Sequence, residues 1–249
     1  MEVLGIDIGG SGVKAAPVNT ATGELLAERY RARTPVPATP DALAALVRSL
    51  AERFEWYGPV GCGFPGIIRA GTVRFASNVA RGWVGQQPET VLSAASGLRV
   101  FALNDATAAG LAEVRLGAGR DVPGLVIVIT LGSGVGSGMF VGGKVVPHTA
   151  LGQLEIDGKK VARWASNKVR EEERLSWKEW SKRLRKFLQK LERVFSPELF
   201  IIGGGVSADD AEFLPLIKLD TPVVPAQFRN QAGIIGAAIY AEERLAAEG

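Results

Sequence analysis

The sequence predicts an α/β protein of two lobes, each built on a strand–glycine turn–strand platform. An apolar run at residues 3–8 breaks into Gly9-Gly10-Ser11-Gly12 and resumes at residues 13–18. The same order returns about 120 residues later, where residues 125–131 enter Gly132-Ser133-Gly134-Val135-Gly136-Ser137-Gly138. Helical patterns alternate with these strands, as an α/β architecture requires. The pool of 249 residues is 47% hydrophobic and 22% charged, which suits a folded core and excludes disorder. Its 31 glycines are the unusual number, and many are clustered.

The elements follow in order. Residues 3–8, 13–18 and 24–33 read as strands, with Thr22-Gly23 as a turn, so the chain opens as a meander. A proline-rich connector at 34–40 leads to Asp41, a good N-cap for a helix with Leu43, Leu46, Val47 and Leu50 on one face. Residues 60–64, 100–104 and 125–131 are further strands, the last with the β-branched content of a buried one. Between them, 106–116 is alanine-rich and helical, closed by Gly117. Residues 139–141 and 144–146 read as strands after the second glycine loop. Ser176 and Glu179 form a capping box. Behind it Trp177, Trp180, Leu184, Phe187, Leu188, Leu191 and Val194 trace one apolar stripe. A strand at 199–202 enters Gly203-Gly204-Gly205, and 233–245 is a closing helix. The lobe boundary falls near Asp105, giving a smaller lobe of residues 1–105 and a larger one of 106–249. The closing helix, about 233–249, is expected to pack back on the first.

Several function classes drop out. One cysteine leaves no intramolecular disulfide, and with one histidine there is no Cys/His zinc cage, so no zinc is expected. No apolar run reaches the length of a membrane span. No cationic leader precedes the first strand, so a cytoplasmic protein without membrane partners is expected.

Glycine loops at strand ends let backbone N–H groups converge on an anion, since no Cβ blocks approach and positive φ is allowed. Tight hairpins need glycine too, so one loop alone is weak evidence. Here Asp7 precedes the first loop and is placed to hold Mg²⁺ or a metal-bound water, while Lys14 follows it with a point charge suited to phosphate. Three such loops on two lobes suggest a cleft closing on a polyanion.

Asp7-Ile8-Gly9-Gly10-Ser11-Gly12-Val13-Lys14 resembles the first phosphate motif of the sugar kinase, Hsp70 and actin superfamily. The run from Leu131 to Gly138 resembles its second phosphate motif, which would set Gly132, Ser133, Gly134 and Gly136 against phosphate. Ile202-Gly203-Gly204-Gly205-Val206-Ser207 resembles its adenosine motif. Within that superfamily the chain is similar to the ROK family and to its polyphosphate glucokinase branch. Gly61-Cys62-Gly63-Phe64-Pro65-Gly66, Ala102-Leu103-Asn104-Asp105-Ala106 and the segment from Phe228 to Ala238 support this. The resemblance implies a two-lobed actin-like (ribonuclease H-like) ATPase fold with a cleft between lobes. It also implies a homodimer and phosphoryl transfer from polyphosphate or ATP, with Mg²⁺, to the 6-hydroxyl of glucose.

That reaction is mostly positioning and charge neutralisation, with one group accepting the hydroxyl proton. The resemblance makes Asp105 that base; its position before a helix also suits an N-cap, and both roles can hold together. Gly66, Asn78, Asn104 and Asp105 match sugar contacts. Where the family carries Glu-x-Gly-His, this chain reads Ala150-Leu151-Gly152-Gln153, and a further sugar-binding Glu falls at Ala162. Gln153 and Glu155 remain as polar groups nearby. The gap leaves three readings open: a glucokinase, a kinase for another sugar or polyol, or a binding protein without turnover. A repressor would carry an N-terminal DNA-binding extension, whereas this chain starts at its first strand. His148 is a further polar residue with little support for a catalytic role.

Residues 159–193 hold 13 Lys/Arg and 5 Asp/Glu, a net of +8, so the rest of the chain carries −5. Lys178, Lys182, Arg185 and Lys186 lie opposite the apolar stripe. They are either an ordinary solvated face or a track that attracts polyphosphate. No helix-turn-helix, zinc finger or aromatic RNA-binding signature accompanies them, so no specific nucleic-acid partner is expected. Trp177 and Trp180 read as core rather than as a stacking platform.

Overall fold

In the computed structural model, which describes residues 1–248, the opening meander becomes the edge of a five-stranded sheet. Its strands are β1 (Glu2–Ile8), β2 (Val13–Asn19), β3 (Tyr30–Ala32), β4 (Val60–Phe64) and a later strand at Val100–Asn104. Their order is β3, β2, β1, β4 and then that last strand. β1 pairs antiparallel with β2 but parallel with β4, so the carboxyl ends of β1 and β4 lie side by side. The expected strand at 24–33 is reduced to β3. Leu25 bridges Val18, but the next rung meets Pro17, which has no N–H to donate, and the ladder lapses until Tyr30.

Helix α1 (Pro40–Arg53) starts two residues earlier than the sequence suggested. Thr39, not Asp41, is the cap: its side chain accepts the Ala42 N–H, Pro40 takes the first helical position, and Asp41 sits in the first turn. A hairpin of β5 (Gly66–Arg69) and β6 (Thr72–Ala76) follows, then α2 (Pro88–Ser96), β7 (Val100–Asn104) and α3 (Asp105–Arg115). The core beneath α1 and α2 gathers Leu4, Ile6, Leu43, Val47, Leu50, Phe64, Trp83 and Leu92. Phe64 meets Trp83 edge-on at 4.9 Å.

The chain divides into two compact units, Glu113–Ala232 and the remainder, Met1–Ala112 with the residues from Gly233 on. The division falls inside α3 rather than at its first residue. Ala106, Ala108, Leu111 and Ala112 are all buried, so most of the helix belongs to the first unit.

The second unit repeats the plan of the first. Its sheet runs β10 (Lys144–Val146), β9 (Val135–Val141), β8 (Leu125–Leu131), then strands at Leu199–Gly203 and Val223–Pro225. β9 begins at Val135, so the turn is only Gly132-Ser133-Gly134, and Gly136 stands in the strand opposite Thr130. A short hairpin, β11 (Glu155–Ile156) and β12 (Lys159–Lys160), precedes α4 (Asn167–Glu172) and α5 (Trp177–Phe195). The Ser176–Glu179 capping box is present at the head of α5. Trp180, Leu184, Phe187, Leu188 and Leu191 are buried as the stripe required, whereas Val194 in the last turn is 65% exposed. Trp177 stacks on Phe213, and Trp180 donates its indole N–H to the Ala165 carbonyl. Both indoles are therefore core. β13 (Leu199–Gly203), α6 (Asp210–Phe213) and β14 (Val223–Pro225) complete this unit.

Glu113 is buried without a cationic partner in this unit. Its carboxylate accepts the N–H groups of Ala118 at 3.0 Å, Gln227 at 3.0 Å and Phe228 at 2.8 Å. Hydrogen bonds thus stand in for a counter-ion.

The last helix, α7 (Ala232–Ala246), lies on the first sheet because small residues make room for its backbone. A Cβ built on Gly5 would sit 2.2 Å from the Ile234 carbonyl oxygen, and one on Gly61 would sit 1.9 Å from that of Ala237. Gly236 in turn packs against α3, where a Cβ would meet the Ala108 oxygen at 1.7 Å. Its outer end is tied down by Arg244, which reaches Glu89 at 3.1 Å and Tyr240 at 2.9 Å.

Candidate active site

The parallel pairing of β1, β4 and β7 brings their last residues to one edge. Asp7 is level with Gly63, Gly63 with Leu103, and Phe64 with Asn104. A Cβ on Gly63 would lie 3.4 Å from the Asp105 Cα and 3.7 Å from Asp7 Oδ1, so glycine alone separates the two acidic residues. α7 arrives from the other side. Its Gly233 lies so close that a Cβ would be 2.7 Å from the Asp7 carboxyl carbon. The N-terminal end of a helix favours an anion there. Lys14, on β2 directly across from Asp7, closes an ion pair at 3.2 Å.

Asn104 and Asp105 divide the roles that the sequence left on one residue. Asn104 is the cap of α3: its Oδ1 accepts the Thr107 N–H at 3.0 Å and the Thr107 hydroxyl at 3.2 Å. Its amide nitrogen donates to the Gly66 carbonyl at 3.1 Å and to Asp105 Oδ1 at 2.9 Å. Asp105 is therefore not consumed by capping. Burial, with the nearby charge of Asp7 second, pushes its carboxyl up to about 7, against smaller opposing hydrogen bonds from backbone and Asn104. A carboxyl near neutrality beside a second carboxylate is suited to accept a proton. The same burial and Asp7 charge push the Cys62 thiol up, so it stays protonated and unreactive.

The first glycine hairpin is shaped by close neighbours rather than by left-handed backbone. Gly9, Gly10 and Gly12 are absent from the positive-φ residues. Instead, a Cβ on Gly10 would strike Asn78 at 2.8 Å, and one on Gly12 would strike the Arg31 guanidinium at 2.6 Å. The Gly9 N–H donates to the Gly12 carbonyl at 3.0 Å, and the Thr34 hydroxyl donates to the Gly9 carbonyl at 2.6 Å. Asn78 itself takes a φ of 63°. Thr34 and Arg31, which hold this loop, were missed from the sequence; their signal was only their place after a turn.

In the second unit, Gly132 and Gly134 face open space, where a Cβ would meet nothing within 4 Å. Packing does not demand glycine there, which leaves room for a ligand. Gly204, with φ of 87°, lies against Leu131, where a Cβ would approach the carbonyl oxygen to 2.4 Å. Thus Gly203 and Gly204, with Gly205 following, adjoin the end of β8, which leads into Gly132 and Ser133. Gln153 is exposed and accepts from Lys160 at 3.3 Å. Glu155 is also exposed, its carbonyl taking Lys190. Ala162 packs on the apolar core, and Thr149 Oγ1 is buried without a hydrogen-bond partner. His148 is exposed at a positive φ.

An α/β chain of two repeated sheets, with carboxylates at the end of one and glycine turns in both, has the actin-like ATPase fold of the sugar kinases. It belongs to the ROK family, whose model matches residues 3–152. The polyphosphate glucokinase of Mycobacterium tuberculosis is 42% identical over 237 residues, 95% of this chain and 89% of that one. The Mycobacterium leprae polyphosphate glucokinase is 41% identical, covering 95% and 73%. Among solved structures, the inorganic polyphosphate/ATP-glucomannokinase of Arthrobacter sp. strain KM superposes with a TM-score of 0.93 and 48% identity, covering 98% and 99%. A ROK glucokinase from Streptomyces griseus, in complex with glucose and AMPPNP, gives 0.83 and 25%, covering 98% and 100%.

Proposed function

We propose that this protein transfers the terminal phosphoryl group of inorganic polyphosphate, or of ATP, to the 6-hydroxyl of glucose. The observation that carries the reading is the pairing of Asp105 with Asp7 across Gly63 in a chain so similar to polyphosphate glucokinases. Asp105 takes the proton from the acceptor hydroxyl. The hydroxyl oxygen then bonds to phosphorus as the bond to the bridging oxygen breaks, leaving a polyphosphate shorter by one unit, or ADP. Asn104 positions Asp105 and Gly66 through its two amide donors. The Gly9–Gly12 hairpin and Lys14 receive phosphate in the first unit. Gly132, Ser133, Gly134 and Gly136 do so in the second, with Gly203, Gly204 and Gly205 against the purine of ATP.

Mg²⁺ fits the donor set. Asp7 offers a hard carboxylate that would hold the ion directly or through a water, at the strand end paired with Lys14. That suits an ion which takes its other ligands from substrate phosphates and water. Bound there, Mg²⁺ would neutralise charge on the donor's phosphates.

A second reading concerns the acceptor. Ala150, Gln153 and Ala162 leave fewer charged groups where the family pattern has Glu, His and Glu, and Thr149, with its unpartnered hydroxyl, directly precedes Ala150. A looser acceptor site would admit another hexose. One panel tests both: purified protein with Mg²⁺, polyphosphate or ATP, and glucose, mannose, fructose or glucosamine. Glucose 6-phosphate formed by the parent, and reduced about 10²–10⁴-fold in Asp105→Asn, is the expected result. Turnover of another sugar alone supports the second reading, and no turnover of any acceptor overturns both.

A further inference from the structure

We infer that Arg31 is a binding residue for the donor's phosphate chain, seated beside the first glycine hairpin. This rests on the phosphotransferase reading above and names a contact within it. β3 pairs with β2 so that Arg31 stands directly opposite Lys14, putting two cations on adjacent strands next to the loop. They are not equivalent. Lys14 is held by Asp7 at 3.2 Å, whereas Arg31 pairs with no carboxylate among the described residues.

The guanidinium lies over Gly12. Its Nε would be 2.6 Å from a Cβ there, and Nη2 donates to the Ser11 carbonyl at 3.4 Å, a long contact that leaves its other N–H groups unused. Ser11 and Gly12 also present backbone N–H groups without a partner among the described residues. Unpaired amides beside an unpaired planar cation are complementary to phosphate oxygens, which guanidinium binds two at a time. A side chain at position 12 would displace the guanidinium from this seat. The exposure of Arg31 suits a flexible polyanion that reaches the loop from solvent.

The test reads binding apart from turnover. The affinity of the intact protein for medium-chain polyphosphate is measured by calorimetry over a salt series for the parent, Arg31→Ala, Arg31→Lys and the α5 double variant Lys182→Ala/Arg185→Ala. Thermal melts establish that each variant is folded. Arg31→Ala should bind about tenfold more weakly with a shallower salt dependence, Arg31→Lys should recover part of the loss, and the glucose KM should stay unchanged. Equal affinity in Arg31→Ala and the parent, or a loss confined to the α5 variant, overturns the inference. Parent protein that binds polyphosphate but phosphorylates no sugar sinks the proposed function and leaves the Arg31 result readable on its own.

Discussion

Asp105 shows how one half-buried carboxylate sets two pH dependences in opposite directions. With its carboxyl raised to about 7, Asp105 is protonated below that value, so if it is the base proposed above, kcat/KM should fall as pH drops through about 7. Stability follows the other sign. The unfolded chain ionises the group near its ordinary value of 3.8, so the folded state carries a penalty that is absent below about 4, grows through 7 and persists above it. Asp105→Asn removes the charge but keeps the shape. The variant should melt at or above the parent temperature at pH 8, the difference shrinking towards pH 4, while activity is lost. Melting below the parent at pH 8 would show that the carboxylate is a structural group instead. Capping by Asn104 favours the separation, since Asn104 and not Asp105 takes the Thr107 N–H at the α3 terminus.

At the scale of elements, α7 positions the site although most of it lies away from the chemistry. Gly5 and Gly61 admit its backbone onto the sheet, and only then does Gly233 reach Asp7. Gly61→Ala places a methyl 1.9 Å from a carbonyl oxygen, so the helix must shift. A loss of about 1–3 kcal/mol is expected from such overpacking, with a fall in kcat, measured by denaturant unfolding and steady-state kinetics. Unchanged stability and kcat would show that α7 does not need this approach. Much of the element pattern was legible beforehand: residues 125–131 as a buried strand, the Ser176 box, and the glycine turns at strand ends. What was hidden depended on partners distant in sequence. A glycine inside a strand does not reveal which helix it admits, and residues 24–33 do not reveal that Pro17 interrupts their ladder. Gly136 looked like loop because its neighbours are small, yet it pairs with Thr130. Thr39 outranked Asp41 as a cap because Pro40 fits the first helical position.

At the scale of the molecule, charge is distributed unevenly. Lys178, Lys182 and Arg185 are exposed on α5 and make no ion pair among the described residues, whereas Lys186 meets Asp157 at 2.5 Å and Arg183 meets Glu173 at 2.6 Å. Part of the basic segment is thus neutralised locally and part is free to attract polyanions. Raising ionic strength from about 0.05 to 0.5 M should raise the polyphosphate KM severalfold and leave the glucose KM nearly constant, because only the charged donor is screened. Equal response of both would remove attraction as the explanation.

The sugar site was the least legible part. The proposal rests there on what the chain lacks, at Ala150, Gln153 and Ala162, and composition says little about a contact replaced by a small side chain.

The place of α7 also has a consequence for biosynthesis. Residues 113–232 are continuous, so the second unit has left the ribosome in full before the first can close. Until α7 emerges, the groove over Gly5 and Gly61 stays uncovered and Asp7 lacks its helix terminus. A chain without the residues from Gly233 on would keep the continuous Glu113–Ala232 unit but leave the first sheet without the helix that covers Gly5 and Gly61.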